Sequence, residues 1–523
     1  MPLKGKPLPD PVITSKLLQT GLARYPDDLA LVSTTSRWSW QALDTATYNL
    51  ANNLLQLGLS PGDRVASLMP NRSTLLVHYL ACLRAGLVAV PLNYRYMHPE
   101  IDHALEISGA TLLVTHAERT QDLAASRLAP SLPHGIIYYE GSDGSTNEFQ
   151  RLIQPARDTS PLPAPNPGDP ACIFFTSGST GKPKGVTHTH DSVATMFAIA
   201  AAAFELTPDD VMLPGSSLSH IGGFVFSFAA LAAGARVVVA RSYHDDEILM
   251  LLRQQQPTVL SMLPAALLHL VRDHGSLHDD FRSLRLCRSG ADKVPAELES
   301  EFTELTGLVI DEGYGMTETG LLASNPPSGT IKSGSVGQAL PGVSLSIRDD
   351  DNKELGSGKA GRLWVKSGSA TTGYWNNPAA TDKLFRNGWL DTGDLMDADA
   401  DGYLRFRGRQ KQIIVHDGSN ISPQEVEESL LEHAAVDNAA VIGIHDPIHG
   451  EKVRAYVTLT NNVTRPTVLE LIRFAHERIG YKAPEEIMFL NEMPLNAAGK
   501  IDRLSLKQRA EARLTGGQQT DNT

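Results

Sequence analysis

Thr176-Ser177-Gly178-Ser179-Thr180-Gly181-Lys182-Pro183-Lys184-Gly185 follows directly on the apolar run Cys172-Ile173-Phe174-Phe175. The run has the length and composition of a buried strand, and the ten residues after it hold three glycines, four hydroxyl side chains and two lysines. Glycines let a backbone turn tightly and bring its N–H groups close to a ligand. Hydroxyls donate hydrogen bonds and lysines supply positive charge, a combination that suits a polyphosphate. The Walker A loop is excluded. It requires Gly, four residues, then Gly-Lys-Ser/Thr, whereas Gly181-Lys182 is followed by Pro183 and position 176 is Thr.

Outward from the loop, short β-branched runs alternate with helical patterns. Strands are expected over 65–69, 88–90, 111–114, 236–239, 258–263, 285–288 and 308–310, with helices such as 74–85 and 245–255 between them. That alternation implies parallel sheets covered on both faces. Ligands in such folds gather where loops leave the carboxyl ends of strands. Ser289-Gly290-Ala291 and Gly313-Tyr314-Gly315 are expected in such loops. The proline-rich stretch 155–170 reads as an exposed connector. After Pro341 the texture changes to short strands (343–347, 362–365, 403–406). A small α/β unit follows Lys411, with helices over 423–432 and 468–479 and strands over 439–444 and 452–459.

The chain has 523 residues, enough for two or more domains. Its net charge of −13 disfavours generic binding to nucleic acid or anionic membranes, so a phosphate site must be built locally. Cys82, Cys172 and Cys287 lie in apolar stretches without metal-ligand spacing and read as buried free thiols. The N-terminus lacks an apolar signal core, and the apolar stretch 224–240 is broken by Gly234 and Arg236. A cytoplasmic location is the resulting expectation, and a homodimer is compatible with it.

Four more motifs follow the glycine loop in order: Gly313-Tyr314-Gly315-Met316-Thr317-Glu318, Trp389-Leu390-Asp391-Thr392-Gly393-Asp394, Gly408-Arg409-Gln410-Lys411 and Gly499-Lys500. Together they resemble the adenylate-forming superfamily of acyl-CoA synthetases, peptide-synthetase adenylation domains and firefly luciferase, over about residues 20–510. The resemblance implies a large N-terminal α/β domain of mainly parallel sheets layered with helices, with a small β subdomain, over 1–410. A small mobile C-terminal α+β domain over 411–523 would carry the catalytic lysine. It implies activation of a carboxylate by ATP with Mg²⁺, then acyl transfer to CoA as co-substrate.

By the same resemblance, Thr176, Ser177, Gly178, Ser179, Thr180, Gly181 and Lys184 would hold the β- and γ-phosphates, with Gly290 and Ala291 also in the ATP site. Thr317 would bond the α-phosphate and Glu318 would hold Mg²⁺, a hard cation that prefers carboxylate and phosphate oxygens. Tyr314 would stack on adenine, and Asp394 would accept hydrogen bonds from the ribose hydroxyls beside Arg409. Lys500 would stabilise charge developing at the carboxylate and α-phosphate. Lys411 would be the hinge and Gly418 would border the CoA tunnel, although Asp417 stands where relatives often have glycine.

Ser219-His220-Ile221-Gly222-Gly223-Phe224 resembles the segment covering the acyl carboxylate. The pocket is expected from His220, Gly222, Phe224, Ser289, Gly313, Gly315 and Met316. No acid lies between His220 and Ala240, so an α-amino acid would leave a buried ammonium without a partner. A fatty or aryl acid suits a neutral pocket. Two other readings stay open at this point: loading of a carrier protein instead of CoA, and an adenylate-binding protein without catalysis. The intact Thr317, Glu318, Asp394, Arg409 and Lys500 argue against the second.

Overall fold

The computed structural model describes residues 2–140, 148–156, 161–176, 183–243, 246–272, 275–290, 294–416, 419–446, 450–460, 463–496 and 499–515. They form two compact units. The first gathers Met1–Ser346, Trp364–Asp391 and Asp401–Leu404; the second gathers Ile347–Leu363, Thr392–Ala400 and Arg405–Thr523.

Six strands of the first unit carry site residues: β1 (Pro170–Thr176), β2 (Lys184–Thr189), β3 (Leu286–Gly290), β4 (Ile310–Met316), β5 (Gly320–Ser324) and β6 (Gly373–Tyr374). A seven-stranded sheet runs β6, β2, β1, Val88–Pro91, Arg64–Leu68, Leu112–His116, Ile136–Glu140. From β1 onward its pairs are parallel; β2 and β6 add antiparallel edges. A nine-stranded sheet runs Gln338–Ala339, β5, β4, β3, Val259–Met262, Val211–Gly215, Arg236–Val239, Leu29–Ser33, Arg37–Ser39. It is parallel from β4 to Leu29–Ser33. Val65, Ala66, Val88, Ala89, Val90 and Leu112 to Val114 are buried on both faces, as parallel strands under helices require.

Helices α1 (His190–Ala203) and α2 (Ile221–Ala233) pack on each other, and α2 also packs on Val211–Gly215. Thr189 caps α1 by accepting from the Ser192 backbone N–H, and the Ser192 hydroxyl accepts from the Thr189 N–H in return. Gly234, with φ +81°, ends α2 in the left-handed conformation. The broken apolar stretch is thus a 13-residue buried helix and a strand. Among the described residues no helix is long and apolar enough to cross a membrane. Between the helices and β1 sits an aromatic cluster centred on Phe224. Its ring centroid lies 4.6 Å from Phe228, 5.2 Å from Phe174 and 5.5 Å from Tyr79. Such pairs add about 0.5–1.5 kcal/mol each beyond area burial. The three cysteines are free and buried, and burial pushes each thiol pKa up.

In the second unit a five-stranded sheet runs Ser419–Ile421, Ile414–His416, Gly450–Leu459, Val436–Asp446, with Glu486–Phe489 also beside Gly450–Leu459. The two-residue period of a strand sorts its side chains. Ala439 and Val441 join one core with Val426, Leu430, Leu471 and Ala475 from helices Pro423–Leu431 and Val468–Ile479. Ala440, Ile442 and Ile444 join another with Leu506 and Ala510 from helix Arg503–Thr515. The short strands expected after Pro341 are present as Val343–Arg348, Gly361–Ser367 and Leu404–Arg409.

Three buried histidines of the first unit set an acid limit. His78 bonds the Tyr139 hydroxyl at 3.0 Å, and burial lowers its pKa to about 3. Burial lowers those of His188 and His190 to about 4, opposed by the hydrogen bond to Thr317 and by Asp169 respectively. An unfolded histidine takes up its proton near pH 6.5, while these stay neutral in the fold until far lower pH. The unfolded state therefore binds more protons below about pH 6.5, and stability falls as pH drops from there toward 4. Each histidine removes on the order of 1–3 kcal/mol over that window. Urea midpoints measured from pH 7.5 to 4.5 should decline below pH 6.5. A flat profile would refute the burial argument.

Candidate functional site

The glycine loop leaves one strand and returns as its antiparallel neighbour. Thr176, the last residue of β1, pairs with Lys184, the first of β2. Ser177, Gly178, Ser179, Thr180 and Gly181 lie outside the described residues. The return is anchored on both sides: His103 Nε2 donates to the Pro183 carbonyl at 2.8 Å, and the Trp375 N–H donates to the Gly185 carbonyl at 2.7 Å. A Cβ at Gly185 would stand 2.8 Å from Ile173 Cγ2, so glycine permits the close approach of β2 to β1. The Lys184 ammonium lies 4.3 Å from the ring centroid of Tyr374, within cation–π range.

The second motif departs from expectation. Gly313-Tyr314-Gly315 is not a loop after a strand ending at 310 but the body of β4. β5 pairs with it antiparallel, and the register slips between Tyr314 and Gly315. The reason is steric: a Cβ at Gly315 would meet the Gly320 carbonyl oxygen at 2.4 Å, so glycines extend the pairing through a segment that composition marks as a turn. Ser289 and Gly290 likewise end β3 inside the sheet. Ala291 lies outside the described residues. Tyr314 is buried, Gly313 and Met316 are half-buried and Gly315 is exposed.

The tight turn after β4 is held at three backbone and side-chain points. His188 Nε2 donates to the Thr317 carbonyl at 2.8 Å. The Thr371 N–H donates to the Glu318 carbonyl at 2.7 Å, and the Tyr374 hydroxyl donates to Glu318 Oε1 at 2.8 Å. Neutral His188 must carry its proton on Nε2 to make its bond. Burial, and then the Glu318 charge, push the Tyr374 pKa up, so the hydroxyl remains a donor. Glu318 is only 7% exposed. Among the described residues no group of three His, Cys, Asp or Glu side chains could hold a metal ion. Glu318 thus offers a single hard carboxylate. That donor chemistry fits Mg²⁺ shared with substrate phosphates rather than a protein-only cage.

The acyl segment runs from the surface into the core. His220 precedes α2 as its N-cap residue and is half-buried, with Nε2 3.4 Å from Asn93 Nδ2. The segment before it is braced by Asn71, whose Oδ1 accepts from the Leu218 N–H at 2.8 Å and whose Nδ2 donates to the Ser216 carbonyl at 3.2 Å. Gly222 is half-buried. Phe224, expected in the pocket lining, is 0% exposed at the centre of the aromatic core, because the helix begins at Ile221 and turns residue 224 inward. Ser289, also expected there, is buried with its hydroxyl donating to the Met262 carbonyl at 2.8 Å. Both side chains pack against protein atoms.

In the second unit Asp394 and Arg409 meet, with Arg409 Nε 3.1 Å from Asp394 Oδ1. The carboxylate side chain is 3% exposed and the arginine 51%, so a buried anion faces a solvated cation. The Asp394 N–H bonds the Thr392 hydroxyl at 3.1 Å. Lys500 stands on a tight turn closed by the Leu495–Ile501 bridge. Asn496 holds that turn, its N–H donating to the Lys500 carbonyl at 2.7 Å and its Oδ1 accepting from the Lys500 N–H at 3.1 Å. Gly499 supplies the φ of +78°. Lys411 lies in the turn after Leu404–Arg409. Gly418 lies outside the described residues.

Sequence reasoning missed His188, Thr371 and Tyr374. Each touches Thr317 or Glu318 from over fifty residues away along the chain. The one local sign was Gly373-Tyr374, with Gly373 at φ +136°.

Comparison with known proteins agrees across the chain. A family model described as AMP-binding enzyme matches residues 18–375, and one described as AMP-binding enzyme C-terminal domain matches 425–500. A feruloyl-CoA synthase of an Amycolatopsis species is 32% identical, over 90% of this chain and 94% of the relative. A long-chain-fatty-acid–CoA ligase of Yersinia pestis is 30% identical, over 94% of this chain and 93% of the relative. Among solved structures, ATP-bound MatB of Rhodopseudomonas palustris superposes with a TM-score of 0.89 at 29% identity, covering 96% of this chain and 99% of the other. A benzoate CoA ligase of Burkholderia xenovorans LB400 gives 0.84 at 26% identity, covering 95% and 99%.

Proposed function

The chain belongs to the AMP-binding enzyme family, and from that premise we propose that it is an ATP-dependent acid–CoA ligase. A carboxylic acid attacks the α-phosphorus of ATP to give acyl-adenylate and pyrophosphate. The CoA thiol then takes the acyl group, forming a thioester and releasing AMP.

The observation that carries the reading is the meeting of Lys184 and Glu318 at one tyrosine. The last lysine of the glycine loop lies on the ring of Tyr374, and the motif carboxylate accepts its hydroxyl. That meeting supports a reading in which the lysine would face phosphate oxygens and the carboxylate would hold Mg²⁺ on the same polyphosphate. Thr176 and the loop after it would hold the β- and γ-phosphates, and Thr317 the α-phosphate. Bound Mg²⁺ would supply neutralisation of phosphate charge. Asp394 and Arg409 would hold the ribose, and Tyr314 the adenine. Lys411 would be the hinge between bodies 1–410 and 411–523.

A fatty or aryl acid is the proposed substrate. Support comes from the names of the relatives and from the absence of any acidic residue between His220 and Ala240. Asp394→Ala should weaken ATP binding about 10- to 100-fold, the range for a hydrogen bond to a charged group. Titration calorimetry with ATP measures it, and an unchanged affinity would remove Asp394 from the nucleotide site.

Purified protein with ATP, Mg²⁺, CoA and a panel of fatty and aryl acids should form a CoA thioester. Acid-dependent exchange of pyrophosphate into ATP without thioester would favour a carrier-protein acceptor. No exchange with any acid would leave an adenylate-binding protein.

A further inference from the structure

Glu318 and Lys184 carry opposite charges, and both meet Tyr374. The ring face receives the ammonium 4.3 Å from its centroid, and the hydroxyl donates to Glu318 Oε1 at 2.8 Å. We propose that Tyr374 is a positioning residue that holds Glu318 ready for the divalent cation and Lys184 ready for phosphate, as a spacer with one function at each end. The inference rests on the ligase reading above and adds to it a residue outside the five sequence motifs.

The placement of Tyr374 is itself over-determined. β6 pairs it with Val186 of β2, two residues beyond Lys184. Its N–H donates to the Thr381 hydroxyl at 2.9 Å. Gly373 before it has φ +136°, and a Cβ there would meet Thr381 Cγ2 at 2.4 Å. Nearby, the Thr371 hydroxyl donates to the Thr187 carbonyl at 2.6 Å while the Thr371 N–H holds the Glu318 carbonyl. One short segment therefore grips both the strand leaving the glycine loop and the turn carrying the carboxylate. A tyrosine aimed this way has a fixed ring and a single hydroxyl direction. Partners that orient a metal-binding carboxylate by hydrogen bonding act through it, and their loss costs about 10- to 100-fold in metal affinity or activity.

Two variants separate the two ends of the ring. Tyr374→Phe keeps the ring beneath Lys184 and loses only the donor to Glu318. Its half-saturating Mg²⁺ concentration for ATP binding, read by titration calorimetry, should rise about 10- to 100-fold. Its affinity for ATP in excess chelator should match the parent. Tyr374→Leu loses both ends and should weaken ATP binding in chelator as well. On a Glu318→Gln background, Tyr374→Phe should change the Mg²⁺ requirement no further. An unchanged Mg²⁺ requirement in Tyr374→Phe, or equal weakening with and without the metal, would overturn the proposal while leaving the ligase reading intact. A parent protein whose ATP binding ignores Mg²⁺ would also overturn it, whereas the ligase reading falls only if no acid supports thioester formation or pyrophosphate exchange.

Discussion

Lys500→Ala is expected to slow acyl-adenylate formation by about 10²–10³-fold, the cost of removing one preorganised charge or donor from a developing anion. Transfer of the acyl group from supplied acyl-adenylate to CoA should remain close to the parent rate. The first step brings a carboxylate against a triphosphate, and negative charge accumulates where the two meet. A cation placed there is strengthened in the transition state, which is where stabilisation accelerates a reaction. The turn that bears Lys500 is held by the backbone of Asn496, Gly499 and Lys500 and by the Asn496 side-chain oxygen. Truncating the side chain leaves those bonds, so the variant should fold and its defect should be kinetic. The second step has no such need, because pyrophosphate has gone and the acyl phosphate is already activated. The split is measured by pyrophosphate exchange for the first step and thioester formation from synthetic acyl-adenylate for the second. Equal loss in both would sink the idea that residues 411–523 present Lys500 for one step and withdraw it for the other.

Where local pattern decides structure, the chain was readable. The strand expected over 236–239 is Arg236–Val239, and the helix expected over 468–479 is Val468–Ile479, because periodicity and flanking residues settle both. Thr467 and Glu470 form a capping box that marks the latter's start. The errors share a cause. Gly313-Tyr314-Gly315 has the composition of a turn, yet the approach of Gly320 makes it a strand, and that approach is a tertiary fact. Phe224 was expected in the pocket because its segment resembles one that covers an acyl carboxylate, and its burial against Tyr79 and Phe174, far off in sequence, was not legible. The candidate site side chains stood out in the sequence because their motifs are contiguous. Their supports, His188 and Tyr374, were not, since a single histidine or tyrosine carries no sign of which distant carbonyl or carboxylate it will meet.

The same limit hid a buried ion pair beside the candidate site residues. Arg288 and Asp311 precede Ser289 and Glu312 on β3 and β4, where Arg288 pairs in register with Asp311. Their side chains are 2% and 0% exposed. Arg288 Nε donates to Asp311 Oδ2 at 2.7 Å, and Nη2 donates to the same oxygen and to the Ala203 carbonyl at 3.1 Å. The guanidinium also lies 4.2 Å from the Phe204 ring centroid. Asn325 Nδ2 donates to Asp311 Oδ1 at 3.0 Å. Arg288→Met keeps length and apolar stem but strands a buried carboxylate, which should cost about 3–5 kcal/mol of stability. Arg288→Met with Asp311→Leu removes both charges, and replacing a buried pair by apolar groups is often neutral. The double variant should therefore recover most of the loss, short of the part owed to the hydrogen bonds that Asn325 Nδ2 and the Ala203 carbonyl lose. Urea unfolding of parent, both singles and the double gives the coupling. Additive losses would show that the two charges act independently. Recovery of stability without recovery of pyrophosphate exchange would show that the pair also sets the register of β3 on β4, where a Cβ at Gly290 would already stand 2.8 Å from the Gly313 carbonyl oxygen.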